Sequence, residues 1–350
     1  MSIEFRQISK RYGDARSPLV VDGIDFQVPT GSLTTILGPS GCGKTTTLRM
    51  IAGLESPSAG QVLIDGRDVT ALAAAERNVS MVFQSYALFP HMDEGANVRY
   101  GLSVSGLSKD EAARRARNAM DSVGLGGFEQ RMPSELSGGQ QQRVAVARSL
   151  VLEPSVLLFD EPLSNLDARL RRSMREEIRA LQQRLKLTVA YVTHDQSEAL
   201  AVSDQIVVMN AGRIAQAGTP QQLYEEPCSE FVAGFMGEAL LFDAMADSEG
   251  QVCIGPLRLR SRRPVQAGAV KVAVRPEAWR VSAGGESSGS NGLAGRLLKC
   301  SYLGSQLELS VDTELGEVFV VSPDVDQVLR IGDAITLSLG SHGISVVAAP

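Results

Sequence analysis

Gly38-Pro39-Ser40-Gly41-Cys42-Gly43-Lys44-Thr45 fits the spacing G-x-x-x-x-G-K-[ST] at every fixed position. These residue types suit a polyphosphate. Glycines let backbone N–H groups turn inward toward phosphate oxygens, and the start of a helix adds partial positive charge. Lys44 is expected to bridge the terminal phosphates, and the Thr45 hydroxyl to ligate Mg²⁺, with Thr46 beside it. Cys42 reads as a small space-filler, since no partner thiol lies near it in sequence. Further along, Val156-Leu157-Leu158-Phe159-Asp160-Glu161 is an apolar run ending in carboxylates. Charge at the end of a buried strand is costly unless a cation is near. Asp160 is therefore expected in the Mg²⁺ shell, and Glu161 as the general base that polarises the attacking water. Between these motifs stands Leu136-Ser137-Gly138-Gly139-Gln140. A helix start with unhindered glycine amides is a further anion site.

The elements that must position these groups are legible from periodicity. Ser32–Leu37 reads as a strand feeding the glycine loop, and Thr45–Leu54 as a helix closed by Gly53 and Pro57. Gln61–Asp65, Val79–Phe83, Ser155–Asp160 and Thr188–Thr193 are strand candidates. Ser108–Val123, Gln140–Leu150 and Asp167–Leu185 are helix candidates. Met209-Asn210-Ala211-Gly212-Arg213 reads as a tight turn, and Thr219-Pro220 as a helix start. Strands alternating with helices predict a parallel sheet covered by helices, an α/β fold. Beyond Gly237 the pattern changes to short alternating runs such as Val270–Val274, Gln306–Val311, Val318–Val321 and Ile335–Leu339. That predicts an all-β tail, with a flexible linker over Ala283–Gly292.

Composition narrows the function classes. The chain has 350 residues with a net charge of −6, 43% hydrophobic and 21% charged residues. It has ample core material and no general basic surface for nucleic acid. No apolar run is long enough to span a bilayer. The N-terminus, Met1-Ser2-Ile3-Glu4-Phe5-Arg6, is strand-like and lacks the layout of a signal peptide. Cys42, Cys228, Cys253 and Cys300 are scattered, which fits a reducing compartment.

Taken together, the motifs resemble the ATP-binding cassette (ABC) family, in the branch of ATPase subunits of bacterial solute importers. Leu136–Gln140 looks like that family's signature motif, and Gln141-Gln142-Arg143 continues it. The resemblance implies a nucleotide-binding domain over residues 1–236, with a P-loop NTPase fold and a helical subdomain at about 88–150. It implies that Ser137, Gly138, Gly139 and Gln140 contact the γ-phosphate held by a second copy, so that a homodimer closes around ATP. Gln84, in Val82-Phe83-Gln84-Ser85-Tyr86, matches the Q-loop glutamine that senses Mg²⁺ and water. Leu163-Ser164-Asn165-Leu166-Asp167 resembles the D-loop, His194 the switch histidine, and Tyr12 the aromatic that stacks on adenine. The segment Gln84–His91 would dock two integral-membrane permease subunits, with a periplasmic solute-binding protein acting indirectly. The implied place is the cytoplasmic face of the bacterial inner membrane. One stretch departs from the family: Met92-Asp93-Glu94-Gly95-Ala96-Asn97-Val98 replaces a commonly Thr-Val-containing sequence, and its glycine is expected to loosen the helix start.

The tail over residues 237–350 resembles the OB-like regulatory (TOBE) domain of importer ATPases, with Arg275-Pro276-Glu277 as its recurrent turn. Gly237–Phe242 and Tyr302-Leu303-Gly304-Ser305 look most like ferric-iron-type members. Polyamine, phosphonate, sulfate or molybdate, and sugar importers are the alternatives. A soluble, non-transport cassette for DNA repair or translation is a further reading. It is disfavoured by the single cassette and by the lack of a coiled-coil insert or basic surface.

Overall fold

The computed structural model describes residues 3–262, 264–284 and 291–348. Met1, Ser2 and most of the expected linker, residues 285–290, lie outside the described residues. The chain divides into compact units, Met1–Pro220 and Gln221–Pro350.

The first unit runs β1 (Ile3–Arg11), β2 (Leu19–Val28), β3 (Leu33–Leu37), α1 (Lys44–Ala52), β4 (Ala59–Ile64), β5 (Arg67–Asp68) and β6 (Val79–Val82). It continues with α2 (Glu94–Val104), α3 (Lys109–Ser122), α4 (Gly138–Leu150), β7 (Val156–Asp160), α5 (Ala168–Leu185), β8 (Thr188–Thr193), α6 (Gln196–Val202), β9 (Gln205–Asn210) and β10 (Arg213–Gly218). One sheet has the order β10-β9-β3-β8-β7-β6. Its strands are parallel apart from the β9–β10 hairpin. Every residue of β3, β7 and β8 is buried, as a parallel sheet covered on both faces requires.

The alternate faces of these strands feed separate cores. Ile36, Val156, Leu158 and Val192 pack toward Leu48, Met50 and Ile51 of α1 and toward Ile3, Phe5 and Ile8 of β1. Leu157, Phe159, Val189 and Tyr191 pack toward Ala145 and Val146 of α4 and Met174, Ile178 and Leu181 of α5. Each fully buried aliphatic side chain in these layers contributes roughly 1.5–3 kcal/mol. A second sheet, β2-β1-β4-β5, is antiparallel. The alternation of strands and helices did not announce it, because β1 pairs with β4 across the whole of β3 and α1.

The helical insert has its own core, in which Val98 and Leu102 of α2 meet Ala112, Ala116 and Met120 of α3 and Val144, Ala147 and Val151 of α4. The start of α2 corrects the expectation of a loosened helix. Asp93 caps it by accepting from the Ala96 amide at 2.6 Å. Gly95 is buried, its amide bonds the Glu129 carbonyl at 2.8 Å, and a Cβ added there would lie 3.1 Å from that oxygen. The missing side chain permits a close backbone approach and tightens the turn.

The second unit begins with α7 (Pro220–Glu225) and α8 (Glu230–Phe235) and continues as strands. These are β11 (Leu240–Ala246), β12 (Gln251–Ile254), β13 (Leu257–Arg260), β14 (Gly268–Val274), β15 (Trp279–Ala283), β16 (Leu293–Tyr302), β17 (Leu307–Thr313), β18 (Gly316–Ser322), β19 (Ala334–Leu339) and β20 (Ile344–Ala348). They form antiparallel sheets of order β13-β12-β11-β14-β20 and β15-β19-β16-β17-β18. Trp279 is buried edge-on against Phe242 at 5.9 Å between centroids. The boundary falls before the expected Gly237 because Ala233 of α8 packs on Ala273 of β14 and Val347 of β20. Arg275 locks the same arrangement. It is fully buried, lies 3.7 Å from the Tyr224 ring centre, and donates to the carbonyls of Met236 and Tyr224. The expected Arg-Pro-Glu turn is thus a clamp on α7 and α8, with Glu277 accepting from the Tyr224 hydroxyl.

Candidate functional site

The central strand β3 delivers the glycine loop to the start of α1, whose cap residue Gly43 sits at φ 102°. The loop admits no side chain at its tightest points. A Cβ on Gly38 would lie 2.3 Å from the Met209 carbonyl oxygen, and one on Gly43 2.7 Å from that of Val20. Gly41, at φ 80°, faces open space. Cys42 is buried, its thiol pushed up by burial, and it sits against Gly38 as a space-filler. Lys44 is buried and donates to the carbonyls of Gly38 and Pro39 at 2.8 and 2.9 Å. Val20, Ser40, Gly41, Gly43, Lys44, Thr45, Thr46 and Glu161 line the cavity over the loop.

The ends of β6, β7 and β8 carry further polar groups, of which Glu161 lines this cavity. Asp160 ends β7, and the Thr45 hydroxyl donates to its Oδ1 at 3.2 Å. Burial pushes the Asp160 carboxyl above its ordinary value, against the bond from Thr45 and the charges of Arg49 and Lys44. Glu161 follows at φ 46°, with its amide bonded to the Val192 carbonyl at 3.0 Å. Its Oε2 lies 3.0 Å from His194 Nδ1 just beyond β8. Gln84 follows β6 and donates to the Ser164 hydroxyl at 3.0 Å, which donates to the Glu161 carbonyl at 3.0 Å. Asn165 Nδ2 donates to the Gln84 carbonyl at 3.2 Å. Gln84, Ser164, Glu161 and His194 therefore form one hydrogen-bonded chain across the sheet edge.

Two of the expected groups stand elsewhere. Ser137 caps α4 in a reciprocal box, its amide donating to Gln140 Oε1 at 2.9 Å and its hydroxyl accepting from the Gln140 amide at 3.4 Å. Gly138 and Gly139 form the first turn, where a Cβ would meet Leu166 at 3.2 Å and Leu170 at 3.0 Å. None of Ser137–Gln140 lines the cavity over the glycine loop. Tyr12, just past the end of β1, is 44% exposed, with the Lys10 ammonium 4.8 Å from its ring centre.

Residues 21–164 match the ABC transporter family, and residues 272–347 match the TOBE domain. A relative from Agrobacterium fabrum is 52% identical over 354 residues, spanning 99% of this chain and 98% of its own. The chain belongs to the ABC transporter family. That relative carries the name Fe(3+) ions import ATP-binding protein FbpC, as does one from Brucella abortus at 50% identity over 351 residues, covering 99% and 98% of the two chains. Among solved structures, this ABC ATPase resembles a dimeric post-hydrolysis state of an ATP-binding cassette bound to ADP and Pi. The TM-score is 0.55 at 29% identity, covering 62% of this chain and 98% of the other.

Some groups that shape the ABC ATPase site escaped the sequence reading. Arg171 of α5 donates to the Leu166 carbonyl at 3.0 Å and lies 3.6 Å from Asp195, tying the segment after β7 to the segment after β8. Glu198 is buried and accepts from the Tyr191 and Thr193 hydroxyls, which fixes the strand end bearing His194. An acid four residues past a histidine on a short helix carries no local signal. Only the fold places it under the strand.

Proposed function

We propose that this chain is the ATP-hydrolysing subunit of a ferric-iron importer, working as a homodimer on the cytoplasmic face of a bacterial inner membrane. The observation that carries the hydrolytic reading is Glu161, presented at the cavity by a strand end and oriented by His194 at 3.0 Å. In that position Glu161 accepts the proton of the attacking water, and His194 holds the carboxylate and faces the terminal phosphate. Lys44 exchanges its loop carbonyls for phosphate oxygens, and the glycine amides cradle the rest. The Thr45 hydroxyl beside the desolvated Asp160 carboxylate suits a hard divalent cation, with Gln84 completing the set. Mg²⁺ bound there would neutralise charge on the transferring phosphoryl group. Tyr12 is the aromatic proposed to stack on adenine.

In the proposed head-to-tail dimer Ser137–Gln140, at the start of α4, reach the partner's γ-phosphate. The dimeric solved neighbour supports the same reading. The segment Gln84–His91 is the proposed seat of the membrane subunits, fed by a periplasmic binding protein. Ferric iron is the solute proposed because relatives at about half identity over the full length are Fe(3+) importers by name.

The test is uptake of radiolabelled ferric iron in a strain lacking the gene, complemented by wild type or by Glu161→Gln. Wild type restores uptake, and the variant does not while accumulating as an ATP-bound dimer in gel filtration. Restored uptake with the variant removes Glu161 from the chemistry. Unimpaired iron uptake in the deletion strain, with loss of another solute, reassigns the cargo.

A further inference from the structure

The loop after Gln84 is held in an unusual state. Tyr86 and Ala87 are consecutive non-glycine residues at φ 59° and 48°. Left-handed backbone of this kind is strained in a non-glycine residue and persists only where the surroundings impose it. Here Arg148 of α4 imposes it. Its guanidinium donates to the Ala87 carbonyl at 2.7 Å and the Tyr86 carbonyl at 2.8 Å and lies 5.7 Å from the Phe89 ring centre. Asn97 of α2 fastens the far side, donating to the Phe89, Met92 and Asp93 carbonyls and accepting from the Phe89 amide.

In the same place lies a carboxylate with nothing to hold. Glu94 is 0% exposed in the first turn of α2, and neither of its oxygens has a hydrogen-bond partner. Buried acids are ordinarily paired, and an unpaired one is expensive. Burial first, and then the Asp93 charge, push this carboxyl up to about 7, while Arg148 opposes them. Arg148 in turn feels Glu94. The other element packed on α2 is α3, whose buried face of Ala112, Ala116 and Met120 brings no charge. Glu129 and Arg131 meet the helix start through their backbone carbonyls. His91 and the buried Tyr86 hydroxyl stand on the neighbouring loop, and on α2 itself Arg99 Nη1 lies 3.3 Å from where a Cβ of Gly95 would sit.

We infer that Arg148 is shared between alternative acceptors, the Tyr86 and Ala87 carbonyls in the present conformation and the Glu94 carboxylate in a second one where the strained turn is released. Glu94 is then a positioning residue for the loop that carries Gln84. Neutral Glu94 leaves Arg148 on the carbonyls. Ionised Glu94 offers the guanidinium an ion pair, charged on both sides, in place of bonds to neutral carbonyls, and the released turn recovers its strain. The link to membrane-subunit docking rests on the function proposed above, but the loop equilibrium does not. The experiment therefore uses the full chain alone.

Amide-exchange protection of Tyr86, Phe89 and Met92, corrected for the intrinsic rate at each pH, reads the equilibrium. From about pH 5 to about pH 7, protection in wild type falls by up to about tenfold per pH unit, and it levels off above about pH 7, where Glu94 is ionised in both conformations. In Glu94→Gln it stays flat, and Glu94→Asp restores the slope. Arg148→Met, which removes the shared donor, also flattens it. A flat wild-type profile, or an unchanged slope in either Glu94→Gln or Arg148→Met, overturns the inference.

Discussion

The sheet edge and the start of the helical insert handle polar groups in opposite ways. At the edge, Gln84, Ser164, Glu161 and His194 are bonded in series, Thr45 meets Asp160, and Lys44 occupies carbonyls of its own loop. In the insert, both Glu94 oxygens, both side-chain polar atoms of Gln142, and the Tyr86 hydroxyl are buried without a partner. A satisfied network rigidifies, whereas a half-satisfied one is poised to rearrange. On the function and the loop equilibrium proposed above, the contrast separates what must stay still, the groups given the chemistry, from what must move, the loop between them and the insert.

Variants on each side sharpen or break that contrast. The largest effect belongs to the edge. Glu161→Gln removes the proposed base while keeping its shape, and the steady-state ATPase rate should fall by roughly 10²–10⁴-fold. A loss under tenfold would place the base elsewhere. The next concerns the insert. Since Glu94 has its folded-state carboxyl raised to about 7, the folded chain binds more protons than the unfolded one between the ordinary value and 7. Stability contributed by this group is therefore lost as pH rises through that window. Glu94→Gln escapes the loss. Its denaturant midpoint should exceed that of wild type by the equivalent of about 3 kcal/mol above pH 8, and the gap should shrink toward about pH 5. An equal gap at both ends breaks the comparison.

Two smaller effects test how tightly the edge is built. Gly38→Ala sets a methyl 2.3 Å from the Met209 carbonyl oxygen. Overpacking of this kind costs about 1–3 kcal/mol, with weakened binding of a fluorescent ATP analogue. Normal binding and stability would mean that the loop is more compliant than its geometry implies. Ser164→Ala breaks the link between Gln84 and the Glu161 carbonyl, each bond contributing about 1 kcal/mol. The ATPase rate should fall a few-fold, with binding of the analogue unchanged.

What the sequence disclosed follows the same division. The glycine loop and the acidic strand end were legible because each is a local pattern, and the helix candidates opened at Ser108 and Asp167, the residues that cap α3 and α5. Thr188–Thr193 appears as a strand with the expected bounds. The antiparallel sheet was hidden by the long sequence distance between β1 and β4. Arg148 and Arg171 were hidden because an arginine on a helix reads as a solvated charge until tertiary structure sets a carbonyl before it. Gly95 was noticed and its effect misjudged, since a glycine lowers helix propensity in isolation but here makes room for the Glu129 carbonyl.

Glu161 itself sits in left-handed backbone at φ 46°, where glycine is the residue free of strain. Selection for thermal endurance alone would drift this position toward glycine and leave a sturdier protein. On the function proposed above, the carboxylate standing there marks the place where durability has been surrendered for turnover.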